Sequence, residues 1–226
     1  MTNSNWAQLE NHKAPALLSL FESDTDRVAK LTVEVAGIYF DLSKTHLDNA
    51  LLSGFSAMAE NVQLGAIKEA LFSGAVVNPT EGRAAEHTAE RGTGNPDAVA
   101  HARELHNRMR SLIDAIDAGA LGEIEHVLHI GIGGSALGPK LLIDALGRED
   151  ARYNVKVVSN VDGAALTEAI ATMDPHKTIV AVASKTFTTT ETLLNASSAM
   201  EWMREAGVMD PYSQFVALTA YPEKAI

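Results

Sequence analysis

The spacing of apolar residues divides the chain into a helical first part and a second part in which strands and helices alternate. Up to residue 95, apolar positions recur every three or four residues, as in "APALLSLFES" and "LDNALLSGFSAMAENVQLGAIKEALFSG", which predicts amphipathic helices. Between these stretches, "LTVEVAGIYFDLSK" alternates and contains β-branched residues, which predicts a short strand or a hairpin. We therefore expect residues 1–95 to form a mostly helical N-terminal extension.

The pattern changes after "RGTGNPD", a linker rich in turn-forming residues. A helix is predicted next, "AVAHARELHNRMRSLIDAIDAG", with Gly119 as its C-cap. Apolar strands then alternate with helical segments: "EHVLHIGIG", "ALGPKLLIDALG", "YNVKVVSNVD", "GAALTEAIATMD", "KTIVAVAS", "TTETLLNASSAMEWMREAG" and "QFVALT". Strands that are apolar throughout are typical of a parallel sheet covered on both faces. Residues 96–226 are therefore expected to form an α/β domain with a doubly wound parallel sheet and right-handed crossovers.

Composition narrows the range of partners. The 226 residues are 46% hydrophobic, include no cysteine and have a formal net charge of −11. The negative field disfavours nucleic acid as a partner, while a small anion can still bind at a locally positive site. The lack of cysteine excludes disulfides and thiolate metal sites, and neither a secretory signal nor a membrane-spanning stretch is visible. These features predict a cytoplasmic protein without membrane contacts.

The segment "HIGIGGSALGPK" places three glycines between a predicted strand and a predicted helix. Ligands of open α/β sheets bind at the carboxyl ends of the strands, and the N–H groups at a helix start favour an anion. Gly131, Gly133 and Gly134 would let such a ligand approach the main chain closely, and Ser135 would add a hydroxyl. The same glycines also fit a tight turn with close helix–strand packing, so this segment alone leaves both interpretations open.

A second strand-to-helix junction, "SKTFTTTET", combines a serine, a lysine and five threonines in nine residues. Hydroxyl groups donate hydrogen bonds to phosphate oxygens, and Lys185 adds a positive charge. Helix capping is the alternative, since Thr188 and Glu191 have the spacing of a capping box. A cap would explain one of these threonines, so the segment favours an anion site.

Three kinds of phosphate ligand can be compared against these loops. The chain has no G-x-x-x-x-G-K-[ST] sequence, which a mononucleotide P-loop requires. Gly131, Gly133 and Ala136 satisfy G-x-G-x-x-A, but Ser159 and Asn160 follow the second strand, where a dinucleotide site needs an acidic residue. The missing acidic residue argues against a site for a dinucleotide such as NAD, but this interpretation remains open. A phosphosugar requires one phosphate cradle and hydroxyl partners, and it suits the loops best.

At these residues the chain resembles the glucose-6-phosphate isomerase (phosphoglucose isomerase) family. The resemblance rests on "GIGGSALGP", "VSNVDG" and "ASKTFTTTETLLNA", and it extends to "FESDTDR", "FDLSK" and "NPTEGRAAEH". It covers nearly the whole chain in the family's order. A lone sugar isomerase (SIS) domain would share the sheet but not the "TEGR" element. The resemblance implies that the α/β domain is of SIS type, the first of two in the family.

The resemblance also implies roles for individual residues. Those implied to bind or flank the phosphate end of the substrate are Gly134, Ser135, Ser184, Lys185, Thr186, Thr188, Thr189 and Thr190. Glu191 matches a carboxylate position near the active site that is not the family's catalytic base. The implied substrates are glucose 6-phosphate and fructose 6-phosphate, interconverted without a metal or organic cofactor by a homodimer.

The family's chains are longer, and the resemblance implies that the catalytic groups lie in segments outside these 226 residues. These groups are the glutamate base, an arginine that stabilises the enediolate, and the histidine and lysine of ring opening, of which the histidine comes from the other subunit. We therefore expect phosphate-end binding with little turnover. A non-catalytic phosphosugar-binding SIS module and a dinucleotide-binding oxidoreductase domain remain alternatives.

The histidines do not predict a metal site. His101 and His106 are five residues apart, which does not place two ligands on one helical face. His129 lies inside an apolar strand, where we expect a hydrogen-bonded core histidine. Trp202 is expected to pack on the sheet or on a partner.

Overall fold

The computed structural model describes residues 6, 9–80, 82–147 and 151–225. The chain divides into two compact units, Met1–His106 and Asn107–Ile226. The division falls within one long helix, Pro96–Asp117.

Among the described residues, the first unit consists of helices and one hairpin. In chain order its elements are α1 (Leu17–Ser23), α2 (Arg27–Lys30), β1 (Thr32–Val35), β2 (Ile38–Asp41), α3 (Asn49–Asn61), α4 (Leu64–Phe72), a 3₁₀ turn (His87–Arg91) and the first part of α5 (Pro96–Asp117). The predicted hairpin is confirmed, because β1 and β2 pair antiparallel. Ala36 and Gly37 connect them with φ values of 52° and 76°, as a two-residue hairpin turn requires.

The sequence predicted one helical stretch where the structure has α3 and α4. The break falls at Gln63, which has a φ of 52°. Both helices lie within the stretch that the apolar spacing predicts to be helical, and neither glycine nor proline occupies residue 63 to mark the break. The predicted end of α5 is confirmed: Gly119 has a φ of 77°, and its N–H donates to the carbonyl of Ile116 at 3.0 Å. The N–H of Ala120 donates to Ala115 at 2.9 Å, which completes a Schellman cap.

The second unit is built on a four-stranded parallel sheet. Its further elements are β3 (His126–Gly131), α6 (Gly134–Leu146), β4 (Asn154–Val158), α7 (Gly163–Ile170), β5 (Thr178–Ala183), α8 (Thr190–Glu205) and β6 (Phe215–Leu218), with 3₁₀ turns at Pro175–Lys177, Pro211–Gln214 and Pro222–Lys224. The strand order is β4-β3-β5-β6, and every neighbouring pair is parallel. The predicted α/β fold with a parallel sheet is confirmed.

Helices cover both faces of this sheet. On one face, buried side chains of α7 and α8 pack on the alternating strand residues Leu128, Ile130, Val158, Val180 and Val182. Trp202 of α8 is partly buried against the same core, as one of the two expectations had it. On the other face, an apolar cleft of about 220 Å³ lies between the sheet and the second part of α5. The strands contribute Val127, Ile179 and Ala181 to its lining, and α5 contributes Leu112, Ile113 and Ile116. Burial of each large apolar side chain stabilises the fold by about 1.5–3 kcal/mol.

No helix in the described part of the chain has both the length and the apolar character needed to cross a membrane.

Candidate functional site

The strand order creates one topological switch point, between β3 and β5. The chain leaves β3 for β4 on one side and returns to β5 on the other side. Ligands of doubly wound folds bind at the carboxyl ends of the strands at such a point, because the two loops diverge there and open a crevice. Gly131 and Ala183 are paired in register at these ends, so the loops that follow β3 and β5 start side by side.

The loop after β3 turns sharply into α6. Gly133 has φ 56° and ψ −121°, a conformation that favours glycine. Gly131 permits a close approach, since a Cβ at this position would lie 2.7 Å from the carbonyl oxygen of Ser135. Two N–H groups expected to face a ligand are already used: Ser135 donates to Ile132 at 3.1 Å and Ala136 to Gly133 at 3.0 Å. The hydroxyl of half-buried Ser135 and the N–H of Gly134 are donors that this loop can still offer an anion.

His129 of β3 makes a hydrogen bond to the first turn of α6. It is 7% exposed, and its Nε2 lies 2.7 Å from the carbonyl oxygen of Ser135. The carbonyl can only accept, so Nε2 carries the hydrogen and donates. The expectation of a hydrogen-bonded core histidine is confirmed, and its partner is a residue of the candidate site.

The loop after β5 concentrates hydroxyl groups. The hydroxyls of Ser184 and Thr189 lie 3.2 Å apart, and those of Thr186 and Thr188 lie 2.7 Å apart. Ser184 is buried, whereas Thr186 and Thr188 are exposed. A hydroxyl can rotate its hydrogen away from a neighbouring hydroxyl and toward an incoming acceptor. These pairs thus provide donors that an anion can recruit without breaking a bond to a fixed carbonyl.

The capping box that the sequence allowed is not formed. Helix α8 begins at Thr190, and its N-cap is Thr189, which makes no side-chain cap bond. Thr188 lies one residue further out, and its hydroxyl contacts Thr186 instead. The sequence left this capping box open as the alternative to an anion site, and it does not form because the helix starts later than that spacing requires. The N-terminal turn of this 16-residue helix consequently lacks a side-chain cap.

Phe187 holds the middle of this loop in an unusual conformation. Its φ is 52°, a left-handed value that costs a bulky residue about 1–2 kcal/mol. Its ring is partly buried against the core cluster beneath α8, which offsets this cost. A left-handed residue in such a turn points successive N–H groups toward one side, as in anion-binding nests. No residue preference near Phe187 indicates this conformation.

Hydrogen bonds tie the loops to their surroundings. The buried Asn195 of α8 donates to the carbonyl of Asn160 at 2.9 Å, which connects α8 to the loop after β4. The carbonyl of Lys185 accepts the N–H of Ala220 at 3.0 Å and the hydroxyl of Thr219 at 3.1 Å. Sequence reasoning missed these contacts, because they join segments far apart in the chain. They hold the main chain of the loops while leaving the side chain of Lys185 exposed.

Few charged side chains lie in the loops that follow β3, β4 and β5. Within residues 131–136, 159–163 and 184–191, all of them described, the charged side chains are Lys185, Asp162 and Glu191. Asp162 caps α7 by accepting the N–H of Ala164 at 2.9 Å. Glu191 lies exposed in the first turn of α8. Among the described residues, no group of three or more histidine, aspartate or glutamate side chains is arranged to hold a metal ion.

Comparisons with known proteins agree on one family. The sequence profile of the phosphoglucose isomerase family matches residues 41–226. The chain is 58% identical to the glucose-6-phosphate isomerase of Rhizorhabdus wittichii over 221 residues, which cover 98% of this chain and 44% of that protein. It is also 58% identical to the glucose-6-phosphate isomerase of Zymomonas mobilis over 220 residues, which cover 97% of this chain and 43% of that protein.

A solved structure extends the likeness to the fold. The crystal structure of a glucose-6-phosphate isomerase from Chlamydia trachomatis superimposes with a TM-score of 0.79 at 26% identity, covering 96% of this chain and 44% of that one. The chain therefore spans less than half the length of the relatives it matches. Since the family profile matches most of the sequence, the chain belongs to the phosphoglucose isomerase family.

Proposed function

We propose that this chain is the N-terminal, phosphate-binding part of a glucose-6-phosphate isomerase. In this proposal residues 96–226 form the first of two SIS-type α/β domains, and residues 1–95 form its helical extension. The observation that carries the proposal is the meeting of the "GIGGS" and "SKTFTTTE" loops at the switch point between β3 and β5. The relatives are named glucose-6-phosphate isomerases, which supports glucose 6-phosphate as a substrate, and fructose 6-phosphate is the ketose that aldose–ketose isomerisation would form from it.

The donor set of this edge suits one phosphate group. Hydroxyl groups and one ammonium surround the crevice, and two long helices, α6 and α8, begin there with their partial positive charge. The proposed phosphate-binding residues are Gly134, Ser135, Ser184, Lys185, Thr186, Thr188, Thr189 and Thr190. Lys185 supplies the charge, and the hydroxyls supply orientation.

The same edge offers no group placed to move a proton. Aldose–ketose isomerisation needs a base within about 3 Å of the hydrogens on C1 and C2. Asp162 is already engaged as a helix cap. Glu191 lies exposed in the first turn of α8, and the resemblance does not match it to the family's catalytic base. We propose that the 226-residue chain binds the phosphate end and turns substrate over little or not at all.

Calorimetric titration with 6-phosphogluconate, an acid resembling the enediolate intermediate, tests the binding half of the proposal. We expect binding that Lys185→Ala weakens about ten- to a hundredfold, the loss of a hydrogen bond to a charged group. Thr189→Val is expected to weaken it about tenfold, and Thr189→Ser, which keeps the hydroxyl, to retain most of it. Lys156→Ala removes an exposed charge from β4 and serves as the matched control. Binding of NAD in place of the sugar acid would favour the oxidoreductase alternative instead.

An isomerase assay tests the catalytic half. The expected rate of the wild-type chain equals that of Lys185→Ala prepared in the same way. Turnover clearly above this control would show that the 226 residues contain a working base, and this half of the proposal would then be wrong.

A further inference from the structure

The first turn of α6 lacks one of its main-chain donors. In a regular helix the carbonyl of Ser135 accepts the N–H of the fourth residue along the chain. That residue is Pro139, which has no N–H. A proline inside a helix costs about 3 kcal/mol relative to alanine, so a replacement donor at this carbonyl has a clear energetic role.

His129 is that replacement donor. Its Nε2 lies 2.7 Å from the carbonyl oxygen of Ser135, a distance typical of a strong N–H···O bond. The imidazole is buried in the central strand β3, which pairs with β4 on one side and β5 on the other, so it has a rigid base. The missing Cβ of Gly131 leaves the space for this contact, since a Cβ there would approach the same oxygen to 2.7 Å.

We infer that His129 is a positioning residue for the phosphate-binding loop, and this inference rests on the proposed function. The N–H of Ser135 is bonded to Ile132 and its carbonyl to His129, so the main chain is held on both sides of the residue. With its main chain held in this way, Ser135 can reposition its hydroxyl mainly by rotation about χ1. Loss of the imidazole bond frees the peptide group between Ser135 and Ala136 and so loosens the main chain that orients the Ser135 hydroxyl.

The inference makes a specific prediction about Pro139. If the role of His129 is to donate to Ser135, an N–H at residue 139 takes over that role. We therefore expect His129→Phe to weaken binding of 6-phosphogluconate about tenfold, the equivalent of one hydrogen bond. The double variant His129→Phe with Pro139→Ala is expected to bind within about threefold of the wild type. If His129→Phe weakens binding through altered packing and not through the lost hydrogen bond, the double variant binds as poorly as His129→Phe, and the inference is wrong.

Two NMR measurements decide the matter independently of the ligand. In the wild-type chain, Nε2 of His129 is expected to show a directly bonded hydrogen; an unprotonated Nε2 overturns the inference. The amide resonances of Gly133, Gly134 and Ser135 are expected to shift in His129→Phe and to return toward wild-type positions in the double variant. Failure of the wild type to bind 6-phosphogluconate or inorganic phosphate would contradict the proposed function, while these resonances would still confirm or refute the hydrogen-bond role of His129.

Discussion

Gly131 is the last residue of β3, and its main chain lies close to Ser135 of the candidate site. A methyl group there would lie 2.7 Å from the carbonyl oxygen of Ser135 and 3.1 Å from its Cβ. The main chain of the loop would have to move, because no flexible side chain is available to yield. We expect Gly131→Ala to lower the free energy of unfolding by about 1–3 kcal/mol, the usual cost of overpacking, and to weaken sugar-acid binding. Urea denaturation and calorimetry measure the two effects.

Gly138 provides the matched control for that substitution. It lies within α6, and an added Cβ would meet nothing within 4 Å. Gly138→Ala should therefore be neutral or stabilise the chain by up to about 1 kcal/mol through helix propensity. Equal destabilisation by both substitutions would refute the steric role assigned to Gly131.

Single residues also show how far the sequence determines the candidate site. The two loops could be predicted because glycines, hydroxyls and a lysine follow apolar strands directly. The absent N–H of Pro139 is visible in the sequence, but the donor that replaces it is not, since His129 reaches Ser135 only after β3 and α6 pack together. The left-handed Phe187 is likewise a product of core packing that no local residue preference indicates.

At the scale of elements, Arg27 of α2 holds the segment that follows the hairpin. It is 4% exposed and donates to the carbonyls of Ser43, Thr45 and Leu47 at 2.8, 2.7 and 2.7 Å. The guanidinium also lies 5.5 Å from the ring centre of Phe21. Lysine cannot reach three divergent carbonyls, so Arg27→Lys leaves some of these carbonyls, including that of the buried Ser43, without their donor. We expect a loss of about 2–4 kcal/mol in urea denaturation.

An exposed arginine gives the comparison for this substitution. Arg103 lies exposed on α5, and Arg103→Lys is expected to change stability by less than about 0.5 kcal/mol. A similarly small effect of Arg27→Lys would mean that the three carbonyls find other donors.

The N-terminus of α3 predicts a pH dependence. Asp48 accepts the N–H of Leu51 at 2.8 Å and lies 2.9 Å from Nε2 of His12. The hydrogen bond from Leu51, aided by the charge of His12, lowers the pKa of Asp48 below its usual value. Because the folded state has the lower pKa, the stabilisation is complete above the unfolded pKa of about 3.9 and is lost as the pH falls through the folded value.

The variant Asp48→Asn isolates this charge, since asparagine also caps helices. We expect it to be less stable than the wild type at pH 7, with the difference shrinking as urea denaturation is repeated at lower pH values toward 3. A difference that stays constant over this range would show that the charge of Asp48 contributes nothing.

The elements themselves were mostly predictable, for a physical reason. The strands of the parallel sheet are apolar throughout because both faces are covered, and Gly119 marks the end of α5 because only the left-handed conformation closes that cap. The break between α3 and α4 is not indicated by the sequence. It depends on the left-handed conformation of Gln63, which no local residue preference indicates.

For the molecule as a whole, the exposed leucines of α6 indicate that the isolated chain self-associates. Ala136 is its one buried residue, whereas its leucines are highly exposed: Leu137 68%, Leu141 68%, Leu142 60% and Leu146 81%. Exposed apolar surface of this kind favours association. We expect analytical ultracentrifugation to show species larger than a monomer at micromolar concentrations, reduced by Leu141→Lys and Leu146→Lys. A single sharp monomer for the wild type would contradict this prediction.

The strand order has a consequence for synthesis of the chain. Gly131 and its register partner Ala183 are about fifty residues apart, so the ribosome releases β3 and β4 well before β5. A nascent chain at that stage has β3 as an edge strand with an apolar, unpaired side, the kind of surface that recruits chaperones or other strands. The order that brings the two loops together thus delays the crevice between them, so the candidate site cannot form until β5 has joined the sheet.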